Sequence, residues 1–210
     1  ILAADDPGMY SSQDEQDSHY YALAAHLPMM DPSDSAEALA FTRDAFDLSE
    51  QFDTPFFIRS SVRVSHTRTP VECGPRTEHE LVPYKTDPAK WVMMPAFAKP
   101  RRKVQLARLD KLEQWVETCP YNKAEYKGTS IGVICAGACY QHVVEALPEA
   151  SVFKLGVSYP LPKQALRNFA DEVDAVYVVE EASTYLTDAV RALGIDVSNF
   201  PCGLPRDGEL

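Results

Sequence analysis

The sequence predicts an α/β protein built on parallel, doubly wound sheets. Short apolar runs of four or five residues alternate with longer stretches whose apolar residues recur at helical spacing. Loops rich in Asp, Ser, Pro and Gly follow several of the apolar runs, where a strand hands over to a helix. The alternation resumes after a Pro-rich stretch, so two regions of one architecture are expected, joined by right-handed crossovers.

Ile1–Ala4 reads as a buried strand, Asp17–His26 as a helix and Leu27–Met30 as a short strand. Ser33 is the expected cap of a long helix from Ser35 to Phe52. Ala38, Phe41, Ala45, Phe46, Leu48 and Phe52 mark its apolar side, and Asp34 and Glu37 suit its positive N-terminus. Thr54-Pro55 ends that helix. Phe56–Val64 reads as the next strand, which would place Arg59, Ser61, Arg63 and Ser65 on one face. Thr67–Pro100 carries six prolines and reads as an extended connector with one or two edge strands, for example Trp91–Met94.

Arg101–Glu117 is the expected helix that opens the second half. Strands are then expected at Ile131–Cys135, Val152–Gly156 and Ala175–Glu180, and helices at Ala138–Ala146, Lys163–Glu172 and Thr184–Leu193. A short strand at Asp196-Val197 closes a small but complete doubly wound domain. The first region, with about three strands where five or six are usual, reads as partial. The chain is therefore expected to be an internal segment of a longer protein.

Composition removes several function classes. A net charge of −11 argues against binding to nucleic-acid backbones. No apolar run approaches the roughly 20 residues that span a bilayer. The basic cluster Lys99–Lys103 reads as a solvated helix start, with docking of an acidic partner as the alternative. Five cysteines without a C-x2-C pair suit a reducing compartment better than a disulfide framework. Cys135 and Cys139 straddle a strand-to-helix turn and read as small buried side chains rather than cluster ligands. His26, His79 and His142 lack ligand spacing and read as surface or packing residues.

The loop Ser11-Ser12-Gln13-Asp14-Glu15-Gln16 offers hydroxyls, amides and carboxylates that could orient a ligand or relay a proton. The same residues could equally cap the following helix. Arg63 could clamp a carboxylate or tie the strand to its surroundings, and His66 could carry a proton near neutral pH.

The string DDPGMYSSQDEQDSHYYA, residues 5–22, resembles a signature segment of the α subunit of indolepyruvate ferredoxin oxidoreductase, a thiamine-diphosphate family. The family usually reads D-D-P-x-M-H-S-S-Q-N-E-Q-D-x-R; here Tyr10 stands for the His and His19 for the Arg. The likeness runs on in order through residues 59–66, 120–122, 154–162 and 178–181.

The resemblance implies a partial pyrimidine-binding domain with its connector over residues 1–100, then a transketolase C-terminal-like domain over 101–210. It implies oxidative decarboxylation of aryl 2-oxoacids to acyl-CoA, with electrons passed to ferredoxin. Thiamine diphosphate, Mg and [4Fe–4S] clusters would serve the full-length enzyme, and none is expected on this segment alone. The cofactor-activating glutamate, the Gly-Asp-Gly…Asn segment and the cluster cysteines are expected outside residues 1–210. The only Asp-Gly here, Asp207-Gly208, sits at the end.

By the same resemblance Ser11, Ser12, Gln13, Glu15, Gln16, Arg63 and His66 are the cofactor- or substrate-proximal candidates; no catalytic residue or metal ligand is assigned. Expected partners are a second (β) subunit, ferredoxin, coenzyme A, aryl 2-oxoacids and a further copy of the chain, in the cytoplasm. Two other classes stay open: a non-catalytic α/β binding or assembly module, and a thiamine enzyme of transketolase or pyruvate dehydrogenase type.

Overall fold

In the computed structural model, residues 1–76, 78, 80–201 and 203–205 are described. His79, Cys202 and Asp207-Gly208 lie outside them. Two four-stranded sheets organise the chain.

In the first sheet β1 (Leu2–Asp5) pairs parallel with β3 (Phe57–Ser61), which pairs parallel with β2 (Met29–Met30). Helix α1 (His19–Ala25) connects β1 to β2, and α2 (Ser35–Phe52) connects β2 to β3. Asp34, not Ser33, is the N-cap of α2, and its carboxylate accepts the Glu37 N–H. Glu37 in turn accepts the Ser33 N–H at 2.9 Å, so the helix start is held from both directions. Asp53 ends α2 in the left-handed conformation.

The predicted strand Phe56–Val64 is shorter than expected. It stops at Ser61, whose hydroxyl accepts the Val64 N–H and starts the short helix α3 (Val62–His66). A capping Ser at the carboxyl end of a strand turns the chain before alternation can continue. Arg63 and Ser65 therefore do not share a strand face with Arg59. The expected edge strand at Trp91–Met94 is also absent. Asp87 and Pro88 start a helical turn, α4 (Pro88–Trp91), and Pro95 opens α5 (Pro95–Val116). Proline at the first helical position favours helix over strand in both places.

Two strands were not expected. β4 (Lys123–Glu125) runs antiparallel on the edge of the second sheet. β7 (Val157–Tyr159) leaves the second region and pairs antiparallel with β2, completing the first sheet. The two sheets are thus interleaved along the chain, and residues 100 and 101 both lie within α5.

The second sheet has β6 (Ser151–Leu155), β5 (Gly132–Ala136) and β8 (Val176–Val179) parallel in that order, with Val197 bridging to Val176. Helix α6 (Cys139–Ala146) covers one face over Val133, Cys135, Val143 and Val152. Helices α7 (Lys163–Asp171) and α8 (Tyr185–Ala192) cover the other over Ile134, Phe153, Leu166, Phe169 and Val190. Helices on both faces explain why every residue of β6 is buried, Lys154 included. A third core joins the first sheet to α2 and α5 through Met30, Phe41, Phe56, Leu112 and Val116. Among the described residues no helix is long and apolar enough to cross a membrane.

Candidate functional site

The carboxyl ends of the two sheets face each other, and the charged groups of the fold converge there. Asp5 ends β1, Asp31 follows β2 and Arg59 lies within β3; they are 3%, 1% and 5% exposed. Arg59 Nε donates to Asp5 Oδ2 at 2.6 Å, and its Nη1 lies 3.6 Å from Asp31 Oδ1. Asp5 also accepts the Ser18 N–H at 2.8 Å, which anchors the start of α1 to the end of β1. His19, the first residue of α1, reaches Asp17 with Nδ1 at 2.6 Å and Asp31 with Nε2 at 2.9 Å.

The second sheet closes over this cluster. Glu180, just past β8, accepts the Leu186 N–H at 2.7 Å and the Thr187 N–H at 2.9 Å and so caps α8. Ser183 donates to Asp17. The Tyr185 ring stacks on His19 with centroids 4.7 Å apart, and its hydroxyl donates to the Ser158 carbonyl. Gly137, with φ of +55°, lets the turn after β5 press against Asp31, since a Cβ there would sit 2.6 Å from Oδ1. Farther along the seam, buried Lys154 of β6 pairs with Glu37 of α2 and lies over the Tyr140 ring.

These contacts set the ionisation states. Burial works against the Arg59 charge, but Asp31, Asp5 and Asp17 outweigh it and raise its pKa. Burial pushes Asp31 up, yet Arg59 and His19 leave it below the usual carboxylate range. Asp17 is depressed in the same way, against its burial, by the hydrogen bond and charge of His19. Burial and Arg59 disfavour a charged His19, but its hydrogen bonds to Asp17 and Asp31 prevail and its pKa is raised. Glu180 is pushed up by burial, which the N–H groups it accepts only partly offset. The small cavity bordered by His19, Asp31, Arg59, Cys139, Ser158 and Tyr185 measures about 20 Å³, room for one water. The contacts made by the cluster position the loops and helices around it.

The sequence-predicted residues lie around this cluster in two groups. Ser11 and Ser12, with Tyr10, direct their backbone N–H groups at the Asp6 carboxylate at 2.7–2.9 Å. The Ser11 N–H first, then those of Tyr10 and Ser12, lower the Asp6 pKa to about 2 despite desolvation. Gln13, Glu15 and Gln16 are exposed on the same loop. Arg63 and His66, on α3, line an open groove with Ser33, Gln141 and His142. His26 meets the Tyr159 hydroxyl at 3.3 Å. Cys135 and Cys139 are buried, and burial pushes Cys135 up to about 12 and Cys139 well above a free thiol.

Sequence reasoning did not assemble Asp5, Asp17, His19, Asp31 and Arg59 into one site. A signal was present: Asp5 and Asp31 each follow an apolar run, and parallel strands put such positions at one end of the sheet.

No family model matches the chain. Its fold is similar to parts of two solved α/β enzymes. A 2-oxoglutarate:ferredoxin oxidoreductase from Magnetococcus marinus superposes with a TM-score of 0.58 at 15% identity, over 85% of this chain and 40% of that one. A split-gene transketolase superposes at 0.52 and 16% identity, over 92% of this chain and 52% of that one. Sequence similarity narrows the class. The chain is 36% identical over 201 residues to indolepyruvate oxidoreductase subunit IorA of Archaeoglobus fulgidus, covering 93% of this chain and 32% of that subunit. It is 34% identical over 208 residues to IorA of Methanothermobacter marburgensis, covering 94% and 34%, and 34% identical to that of Thermococcus kodakarensis, covering 93% and 32%. The chain is a homologue of these IorA subunits and spans about a third of their length.

Proposed function

We propose that the chain is part of a 2-oxoacid ferredoxin oxidoreductase that oxidatively decarboxylates aryl 2-oxoacids, indolepyruvate among them, to acyl-CoA. The observation that carries this reading is identity of 34–36% to three IorA subunits over more than nine-tenths of the chain. The proposed partners are a second subunit, ferredoxin, coenzyme A and a further copy of the chain, in the cytoplasm. The division into a pyrimidine-binding part, residues 1–100, and a transketolase C-terminal-like part, residues 101–210, belongs to the same proposal. In the fold α5 spans the boundary and β7 pairs with β2, so the two parts share interleaved sheets.

Thiamine diphosphate with Mg, and [4Fe–4S] clusters, complete the proposed enzyme. The donor set here does not fit the metal groups. Among the described residues no three His, Cys, Asp or Glu side chains could hold one ion. An iron–sulfur cluster takes about four thiolates, whereas Cys73 is exposed and Cys119, Cys135 and Cys139 are buried with raised pKa values. No step is therefore assigned to these groups on this chain. What the chain supplies is a wall: the loop of Ser11, Ser12, Gln13, Glu15 and Gln16, and the groove of Arg63 and His66, at the strand ends where open α/β sheets receive ligands.

The test is the protein that carries this segment, purified with its second subunit. It is expected to reduce ferredoxin when given indolepyruvate and coenzyme A. A folded, cofactor-loaded complex that oxidises no 2-oxoacid would refute the reading. The 210-residue chain alone is expected to bind thiamine diphosphate weakly or not at all, and tight stoichiometric binding in calorimetry would count against its role as one wall of a shared site.

A further inference from the structure

We propose that His19 is a pH-operated latch between the two sheets, closed when its ring is protonated and loosened when the proton leaves. The geometry requires the charged form. Nδ1 faces Asp17 at 2.6 Å and Nε2 faces Asp31 at 2.9 Å, and with both carboxyls held below the usual range each ring nitrogen is placed to donate. A neutral ring has one bare lone pair, and whichever nitrogen carries it would point at a carboxylate oxygen. Losing the proton thus replaces a hydrogen bond with a repulsion.

His19 sits where the halves of the fold meet. Asp17 lies on its own loop, Asp31 after β2, and Arg59, bonded to Asp5, on β3. From the second sheet Tyr185 of α8 stacks on the ring at an interplanar angle of 9°, and Tyr20 packs edge-on against Tyr185. Glu180, Glu181 and Cys139 border the same cavity. Ser183 holds the other oxygen of Asp17, so one carboxylate links His19 to the loop that enters α8.

Charge counting gives the direction. Asp5, Asp17 and Asp31 oppose Arg59 and His19, which leaves about one net negative charge when the ring is protonated and two when it is neutral. Cys139 and Tyr185 are held protonated by burial, so neither makes up the lost charge, and burial also raises the pKa of Glu180.

The folded state holds the His19 proton more tightly than an open state with the ordinary value of 6.5. The latch is therefore fully closed below pH 6.5 and weakens as pH rises toward the folded-state midpoint. In that window the opening equilibrium climbs by up to about tenfold per pH unit. What opens is the contact of α1 and its entry loop, residues 6–18, with α8. That loop carries the proposed ligand-facing residues, so on the reading above pH sets how well one wall of the site is held.

The test is a ring ¹⁵N NMR titration of the full chain from pH 5 to 9, with amide exchange of residues 18–25 divided by the intrinsic rate. Both ring nitrogens should be protonated at pH 6, with a midpoint above 6.5, and corrected exchange should rise with pH. His19→Gln should remove the pH dependence, and His19→Arg should keep slow exchange across the range. A neutral ring at pH 6, or the same pH dependence in His19→Gln, would overturn the proposal. The wild-type titration stands even where a variant does not fold, and neither readout depends on enzyme activity, so the latch and the proposed function fail separately.

Discussion

Replacing Arg59 tests the organising role of the buried cluster most directly. Arg59 is 5% exposed and neutralises Asp5 at 2.6 Å and Asp31 at 3.6 Å, both of them buried. Arg59→Leu keeps an apolar side chain in place but leaves Asp5, Asp17 and Asp31 against one remaining cation, His19. Removing one partner of a buried pair costs about 3–5 kcal/mol, whereas an exposed pair is worth about 0–1 kcal/mol. Against a typical total of about 5–15 kcal/mol, the loss is a large share of the stability. With a urea m-value of about 2–3 kcal/mol/M, the unfolding midpoint should fall by about 1–2.5 M at unchanged m.

Circular dichroism at pH 7 measures that midpoint, and Asp5→Leu with the double variant completes a cycle. Because Arg59 and Asp5 neutralise each other at 2.6 Å, the double variant should be less destabilised than the sum of the singles by about 1 kcal/mol or more. A loss under 1 kcal/mol for Arg59→Leu, or strict additivity in the cycle, would show that the cluster is not an interdependent buried network.

Three further outcomes follow from local geometry. Asp6 has its pKa lowered from 3.8 to about 2, so the order it imposes on residues 10–12 is complete above pH 3.8 and lost as pH falls toward 2; a carboxyl NMR titration should show this, and a midpoint near 3.8 would contradict it. Gly137→Ala combines φ of +55° with a Cβ 2.6 Å from Asp31, and should cost about 1–3 kcal/mol in thermal or urea unfolding. Among the described cysteines, Cys73 should be alkylated at pH 8 in the native chain while Cys119, Cys135 and Cys139 react only on unfolding; fast labelling of Cys139 would refute its burial.

Most strands and helices were legible because their periodicity is strong. α2 runs over Ser35–Phe52 as its apolar spacing predicts, and the three parallel strands of the second sheet lie where their apolar runs do. The errors have local causes. At Ser61 one hydroxyl-capped turn outweighs the β-branched Val62 and Val64, which on alternation alone extend the strand. At Pro88 and Pro95 the fixed φ of proline starts helices in a stretch whose apolar residues suggest an edge strand. β7 is only three residues long and follows β6 after Gly156, so it reads as a continuation of that strand.

Gly156 allows the separation into two strands. A Cβ there would meet the Tyr121 carbonyl at 2.4 Å, while Asn122 accepts the N–H groups of both Gly156 and Val157 at 2.9 Å. That contact turns the chain out of the second sheet and onto β2, and the Gly156 carbonyl accepts the Asp31 N–H. The long-range pairing that builds the first sheet thus also fixes the backbone of Asp31, one of the two carboxylates that grip His19. Periodicity within one segment contains no information about such a contact, which depends on which segments meet. The colinear family strings at residues 120–122 and 154–162 do mark it, since both fall on this junction. A Gly156→Ala variant should accordingly perturb the His19 ring titration as well as stability, although Gly156 touches neither His19 nor Asp17. A shifted unfolding midpoint with an unchanged His19 titration would show that the two sheets are joined without coupling to the latch.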